Sequence, residues 1–340
     1  MKLKEFQIFL KKETIDLALI MNTMEKPNSN FVYFTQVPEL NSVLVIKNNP
    51  ELYVSILEKS IAEEHSKIKN IKLLTKKFLT NIKESKPSKI GLDFTSVPIF
   101  QYNYLKSKLK NINFVDISKE LQKLRITKTE EEINLLKQSC KFADLLIEKA
   151  INFIQKSKTE LEVKKLIEKE ILSLNLTPSF TPIIASNINS KNPHHLSTNT
   201  KLKGFTIIDL GVKYKNYCSD ITRTVFVGKP SKEEKLIYEK VLEVQKNSIL
   251  ENVSPKELNN NAQKILGKYL NHSLGHGIGI DIHELPSISQ SSKDTFKENM
   301  VFTLEPGYYK KFGIRIEDDF ILKNNKKLAL TKSSKELLTI

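Results

Sequence analysis

Residues 205–228 read FTIIDLGVKYKNYCSDITRTVFVG. Two β-branched runs flank a polar centre, the pattern of a hairpin. Each run carries an acid where a strand should be apolar: Asp209 follows "FTII" and Asp220 precedes "ITRTVFV". A second stretch, 300–322, reads MVFTLEPGYYKKFGIRIEDDFIL and repeats the anomaly, with Glu305 after "VFTL" and Glu317 after "IRI".

The segments leading into the two hairpins repeat as well. Thr129-x-x-Glu132 and Thr159-x-x-Glu162 are capping boxes that open helices over 130–155 and 160–174. Ser231-x-x-Glu234 and Ser254-x-x-Glu257, the latter with Pro255 at the first helical position, open helices over 233–250 and 256–270. Helix–helix–hairpin, twice, predicts a duplicated α+β unit with pseudo-two-fold symmetry, its two hairpins forming one sheet backed by four helices.

Upstream, residues 1–122 predict a separate α/β domain, leaving 123–340 for the duplicated one. "DLALIM", "FVYFT", "SVLVI", "LYVSIL", "KIGLDF" and "NFVDIS" read as strands, and "SIAEEHSKIKN", "KKFLTNIKES" and "FQYNYLKSKLK" as helices. This part holds one glycine, Gly91, and one histidine, His65, so it offers little catalytic material.

A two-residue turn at Lys215-Asn216 sets Asp220 opposite Gly211, with Asp209 its diagonal neighbour about 7–8 Å away. A three-residue loop at 310–312 sets Glu305 opposite Glu317, about 5 Å apart. Taken singly, a strand aspartate is usually a turn or edge residue. Four carboxylates converging on one face repel one another, and burying even one costs several kcal/mol unless it is paired. No lysine stands beside them in either strand. Two divalent cations would balance the charge.

A nitrogen ligand is offered by 271–286, NHSLGHGIGIDIHELP, which gathers His272, His276 and His283 with Gly275, Gly277 and Gly279. The spacing "GHGIG" is neither G-x-G-x-x-G nor a P-loop, so a phosphate cradle is disfavoured. The glycines are expected to bring the backbone close to a metal site at which His276 is the one imidazole ligand. Oxygen-rich ligation without thiolate favours Mn2+ or Co2+ over structural zinc. The expected cofactors are two divalent metal ions, Mn2+ first, with Co2+ and Zn2+ as the other candidates.

The bulk composition narrows the function classes. Net charge is +15, but arginine occurs only at 125, 223 and 315 and the lysines are spread along the chain. That is compositional bias rather than a nucleic-acid patch. No apolar run is long enough to cross a bilayer. The N-terminal "MKLKEFQIFLKKE" is amphipathic and carries acid, unlike a secretory leader. Cys140 and Cys218 make at most one bridge, and reduced thiols in a cytosol are expected.

The series "NPHH", "IIDLG", "CSDITRT", "NHSLGHGIG", "HELP", "FTLEPGYY" and "GIRIEDD" resembles, in order, the motifs of the Xaa-Pro peptidases. These are the prolidase and aminopeptidase P branch of the pita-bread metallopeptidases. The likeness covers about 125–340, and "NFVYFT" and "KIGLDF" give residues 1–120 a looser likeness to that branch's creatinase-like N-terminal domain. It implies a dinuclear centre bridged by Asp220 and Glu317, with Asp209 completing one metal and His276 with Glu305 the other. It places His194, His283 and Arg315 beside the substrate and His272 in support of His276. Short proline-containing peptides are the implied partners, and a homodimer the implied assembly; no nucleic acid or membrane partner is expected.

In the chemistry so implied, a water acidified between the cations attacks the carbonyl before proline. Glu305 carries the proton, His283 helps stabilise the oxyanion, and His194 holds the substrate. One departure is Asn187, which stands where that family's loop usually has glycine. A methionine aminopeptidase-like enzyme is disfavoured by Arg315, "DITRT" and the N-terminal domain. A non-catalytic pita-bread binding module is disfavoured by the five filled ligand positions.

Overall fold

A computed structural model describes residues 2–248 and 253–340. The chain divides into two compact units, 1–125 and 126–340. The boundary falls three residues beyond the one expected from sequence.

The first unit is built on a six-stranded sheet, in the order Ile71–Leu73, Glu51–Val54, Ser42–Ile46, Leu17–Asn22, Lys89–Leu92, Asn113–Asp116. Strand Leu17–Asn22 runs antiparallel to Ser42–Ile46 and parallel to Lys89–Leu92. Its side chains alternate between two cores. Ala18 and Ile20 pack with Phe6, Phe31 and Leu44, whereas Leu17 and Leu19 pack with Tyr53, Phe78 and Ile90. Both faces are therefore covered, which is why the strand reads as a continuous apolar run.

"FVYFT" is not a strand. It forms the helix Ser29–Thr35, because the Asn28 side chain accepts hydrogen bonds from the amides of Asn30 and Phe31 and so caps a helix start. Gln36, at φ 67°, ends the helix in the left-handed conformation. Phe31, Val32 and Phe34 are buried together, a spacing that helix and strand templates share over so short a run.

In the second unit all four capping boxes form, over helices Glu130–Lys156, Glu160–Ser173, Lys232–Lys246 and Pro255–Leu266. The third helix stops at Lys246, short of the predicted 250; positions 249 and 250 lie outside the described residues. Each helix pair packs on its own hairpin. The first pair buries Ala143, Leu146 and Ile167 against Ile208, Leu210 and Ile221. The second buries Val241, Leu258 and Leu266 against Phe302, Leu304 and Phe320.

The expected single sheet is instead a set of smaller ones. Strand Ile221–Val227 pairs with Gly204–Leu210, which pairs with Ile183–Ser186. Strand Val301–Leu304 pairs with Asp318–Lys323 and with Gly275–Gly277. The two assemblies join at an isolated bridge, Thr222 to Glu317. Asp220, Glu305 and Glu317 lie just outside these strands, whereas Asp209 stays within its ladder, paired with Thr222 and Ile183.

Candidate metal centre

The first hairpin turns at Lys215 and Asn216, with φ of 47° and 72°, so Tyr214 faces Tyr217. Ile221 faces Leu210 in the same register, which sets Asp220 across from Gly211. The second hairpin pairs Tyr309 with Gly313 around the loop 310–312. Gly307 faces Arg315 and Leu304 faces Asp318 in one register, so Glu305 and Glu317 stand opposite each other across the break.

His276 enters from the strand Gly275–Gly277. A side chain at Gly275 would overlap the carbonyl of Thr303, and one at Gly277 that of Leu285. The glycines therefore let neighbouring backbone pack closely on either side of His276.

Asp220, His276 and Glu317 offer ligand atoms that all lie within 4.8 Å of one another. His276 Nε2 is 3.7 Å from Asp220 Oδ2 and 3.7 Å from Glu305 Oε1. Asp209 lies on the same face, one position from Asp220 in the diagonal sense, and its Oδ2 accepts from Arg315 Nη2 at 2.5 Å. The Thr222 hydroxyl donates to Glu317 Oε2 at 2.7 Å and accepts from Arg315 Nε at 3.1 Å.

These carboxyls are held above their ordinary range. Burial is the largest cause for each. For Asp220 the charges of Glu317 and Asp209 add to it, and for Glu305 that of Glu317. Glu317 is pushed up to about 7 by burial and by Asp209. Asp209 is raised by burial even though Arg315 opposes the shift. His276 goes the other way, down to about 3, through burial and then His283.

The donor set fits divalent cations. His276 Nδ1 faces the Gly277 carbonyl at 3.0 Å, which can only accept, so Nδ1 carries the proton. The lone pair of Nε2 is thereby turned toward two carboxylates, an arrangement that a cation between them relieves. Asp209 Oδ1 is buried without a hydrogen-bond partner among the described residues. Deprotonated oxygens and a neutral imidazole are what a metal takes up.

Around this cluster, Arg315 is buried. Its Nη1 reaches the Tyr309 hydroxyl at 3.1 Å and the Pro193 carbonyl at 3.4 Å. The guanidinium expected beside the substrate is thus engaged with Asp209 and with the loop bearing His194. His272 Nδ1 donates to the Ser273 carbonyl, leaving Nε2 to accept from Tyr309 Oη at 3.1 Å. Burial lowers His272 to about 4, with Arg315 adding to the shift. His283 stacks edge-on to His276 with ring centroids 4.3 Å apart, and its value is lowered by burial and then by His194. His194 and His283 are exposed.

Asn187 adopts φ 55°. Asparagine tolerates this left-handed conformation better than other side chains, so it keeps the backbone a glycine would have.

Sequence reasoning missed Thr222, Tyr309 and Asp319. They lie inside the quoted motifs "DITRT", "FTLEPGYY" and "GIRIEDD", but nothing in their spacing signals a role. Asp319 Oδ2 accepts from the Asp220 amide at 3.0 Å and from the Cys140 thiol at 3.3 Å. Both cysteines are buried free thiols, raised by burial. Among the described residues no helix is long and apolar enough to cross a membrane.

Residues 134–324 match metallopeptidase family M24, and residues 2–127 match the creatinase/prolidase N-terminal domain. The Xaa-Pro dipeptidase of Pyrococcus horikoshii is 36% identical over 358 aligned positions, covering 99% of this chain and 98% of its own length. Among solved structures, the prolidase from Pyrococcus horikoshii OT3 superposes with a TM-score of 0.90 at 34% identity, over 99% of each chain. The X-Pro aminopeptidase from Thermotoga maritima MSB8 superposes at 0.87 with 30% identity, over 96% of this chain and 98% of that one.

Proposed function

The chain belongs to metallopeptidase family M24, and from that premise we propose that it hydrolyses Xaa-Pro peptide bonds with two divalent cations. Asp209, Asp220, His276, Glu305 and Glu317 would hold them. The observation that carries this reading is the convergence of buried, mutually repelling carboxylates on the Nε2 lone pair of a neutral imidazole. Oxygen-rich ligation makes Mn2+ the first candidate. Cations so held lower the pKa of water and polarise a carbonyl oxygen.

The protein's own groups do the rest. The bond before proline has no N–H and a fixed φ, so it is recognised without the extended-backbone hydrogen bonds that general peptidases use. Glu305 would accept a proton from the attacking water and return it to the departing proline nitrogen. His283, kept neutral by burial and by His194, has an N–H to donate to the oxyanion. His194, close enough to His283 to lower its value, would help hold the substrate. Arg315 neutralises Asp209 and orients it.

The dipeptide is favoured as substrate, because the relative at 36% identity over nearly the whole chain is an Xaa-Pro dipeptidase. A methionine aminopeptidase-like reading is not favoured, since the creatinase/prolidase N-terminal domain accompanies the catalytic unit. The test is an assay of the metal-reconstituted protein on Xaa-Pro and Xaa-Pro-Yaa peptides. Faster turnover of the dipeptide is expected. Hydrolysis unaffected by exhaustive chelation would refute the reading.

A further inference from the structure

Away from the carboxylate cluster, another acid of the second unit is entirely buried. Glu160, first residue of the helix Glu160–Ser173, has no exposed side-chain surface. Its position in a helix's first turn gives it a routine electrostatic reason to be there, but its side chain does not serve the helix. Oε1 accepts from the Ser186 amide at 2.7 Å and from Asn189 Nδ2 at 3.1 Å. Oε2 accepts from His195 Nε2 at 2.9 Å, from the Thr198 amide at 3.0 Å and from the Thr198 hydroxyl at 3.1 Å. Five donors from one loop, 186–198, thus close around a single carboxylate. The helix start reinforces them, with the amides of Glu160 and Leu161 bonded to the carbonyls of Thr200 and Thr198.

The far side of the same loop is tied to the strand that carries Arg315. The Ser190 hydroxyl accepts from the Gly313 amide at 2.7 Å, and a side chain at Gly313 would overlap the Ser190 carbonyl. Arg315 Nη1 reaches the Pro193 carbonyl. His194, next to both Pro193 and His195, is therefore held between two anchors, one of them Glu160.

We propose that Glu160 is a positioning residue for the reaction, its carboxylate fixing the 186–200 loop so that His194 meets the substrate. This rests on the reading of the chain as an Xaa-Pro peptidase for its kinetic arm only. Glutamine in place of Glu160 keeps the shape but puts an amide donor where five donors already converge. For Glu160→Gln, kcat/KM falls about 10- to 100-fold, the scale of a misplacement near 1 Å, and KM rises as well. Bound metal per protomer matches the wild type. Hydrogen exchange quickens at the amides of Ser186 and Thr198 and stays unchanged in the helix Pro255–Leu266. Combined with His194→Ala, the change adds no further loss, since both act through one imidazole.

The proposal is overturned if Glu160→Gln keeps wild-type protection of the loop amides, or if its loss adds fully to that of His194→Ala. It is also overturned if kcat alone falls, in proportion to an unfolded fraction. Should that variant fail to fold, His195→Phe removes one donor of the five and decides the matter. A loss of roughly 5-fold in kcat/KM, the scale of one hydrogen bond, with faster exchange at Thr198, supports the proposal, and no change in either refutes it. If the wild-type protein cleaves no Xaa-Pro bond, the functional reading falls while the exchange arm still decides what Glu160 holds.

Discussion

Buried carboxylates occur in both units of the molecule, and Asp93 of the first and Asp220 of the second are shifted in opposite directions. In the first unit Asp93 is 1% exposed, and burial pushes its carboxyl up. Donors from Thr95, Asn30, Ser118 and Ser96 outweigh that push and hold it below its ordinary value. In the second unit Asp220 and Glu317 are just as enclosed, but they face further carboxylates and end up raised. Burial by itself therefore does not mark a functional acid. A buried acid among like charges with few donors is stable as an anion only when a cation arrives, and Asp220 and Glu317 are of that kind.

Asp318 makes the contrast sharper, since it adjoins Glu317 in sequence. Arg223 Nη2 and the Thr331 hydroxyl donate to its Oδ1, and Gln245 Nε2 and Lys335 Nζ to its Oδ2. Burial again pushes upward, and Arg223 with Lys335 brings the carboxyl below its usual value. One peptide bond separates an acid with a full set of donors from one that has a single hydroxyl donor and a ring of anions.

The largest effect expected from breaking this contrast is on activity. Asp220→Asn removes an anion from the ring and should lower Xaa-Pro hydrolysis by at least ~10^3-fold, the several kcal/mol that metal chemistry supplies. Metal analysis of the purified variant should show a loss of bound ions with the fold retained by circular dichroism. Next comes Asp318→Asn, which strips the buried Arg223 of its partner and should cost about 3–5 kcal/mol of stability. Denaturant titration measures this, and an unchanged midpoint would mean that the donor network is idle.

A pH series probes the same comparison without mutation. In chelated protein, Glu317 has a folded value of about 7 against an ordinary 4.5. Its folded state is favoured below pH ~4.5, and that advantage is lost as pH climbs through ~7, a swing of about 3 kcal/mol. Tm of the chelated protein should fall over that window, and the fall should vanish on adding Mn2+. Asp318 contributes the opposite slope: its stabilisation is present above pH ~3.8 and disappears only as pH drops further. The smallest effect belongs to Asp93→Asn, about 1–3 kcal/mol of stability. Metal content and the activity of the folded fraction should stay at wild-type levels. A loss of metal in that variant would erase the distinction between the two kinds of acid.

Legibility from sequence follows how local each cause is. The capping boxes form because Ser or Thr and a Glu three residues on reach only each other's backbone. Both hairpin registers follow from turn length, which is also local. "FVYFT" reads as a strand yet folds as a helix, because five residues do not separate the two periods and the deciding cap, Asn28, lies outside the run. Glu160 was hidden more thoroughly. It sits between the two members of a capping box and looks like any first-turn acid, while its five partners come from 26 to 38 residues downstream.

What the sequence determined alone was the repeated helix–helix–hairpin order and the four acids interrupting apolar strands, since alternation, capping and turn length act between near neighbours. What only the tertiary structure decided was which acids lack donors. Asp209 meets Arg315 across 106 residues, and Asp220 meets His276 without any intervening hydrogen bond. A carboxylate's charge state depends on every group within a few ångströms, and folding brings those groups from parts of the chain that no local pattern connects.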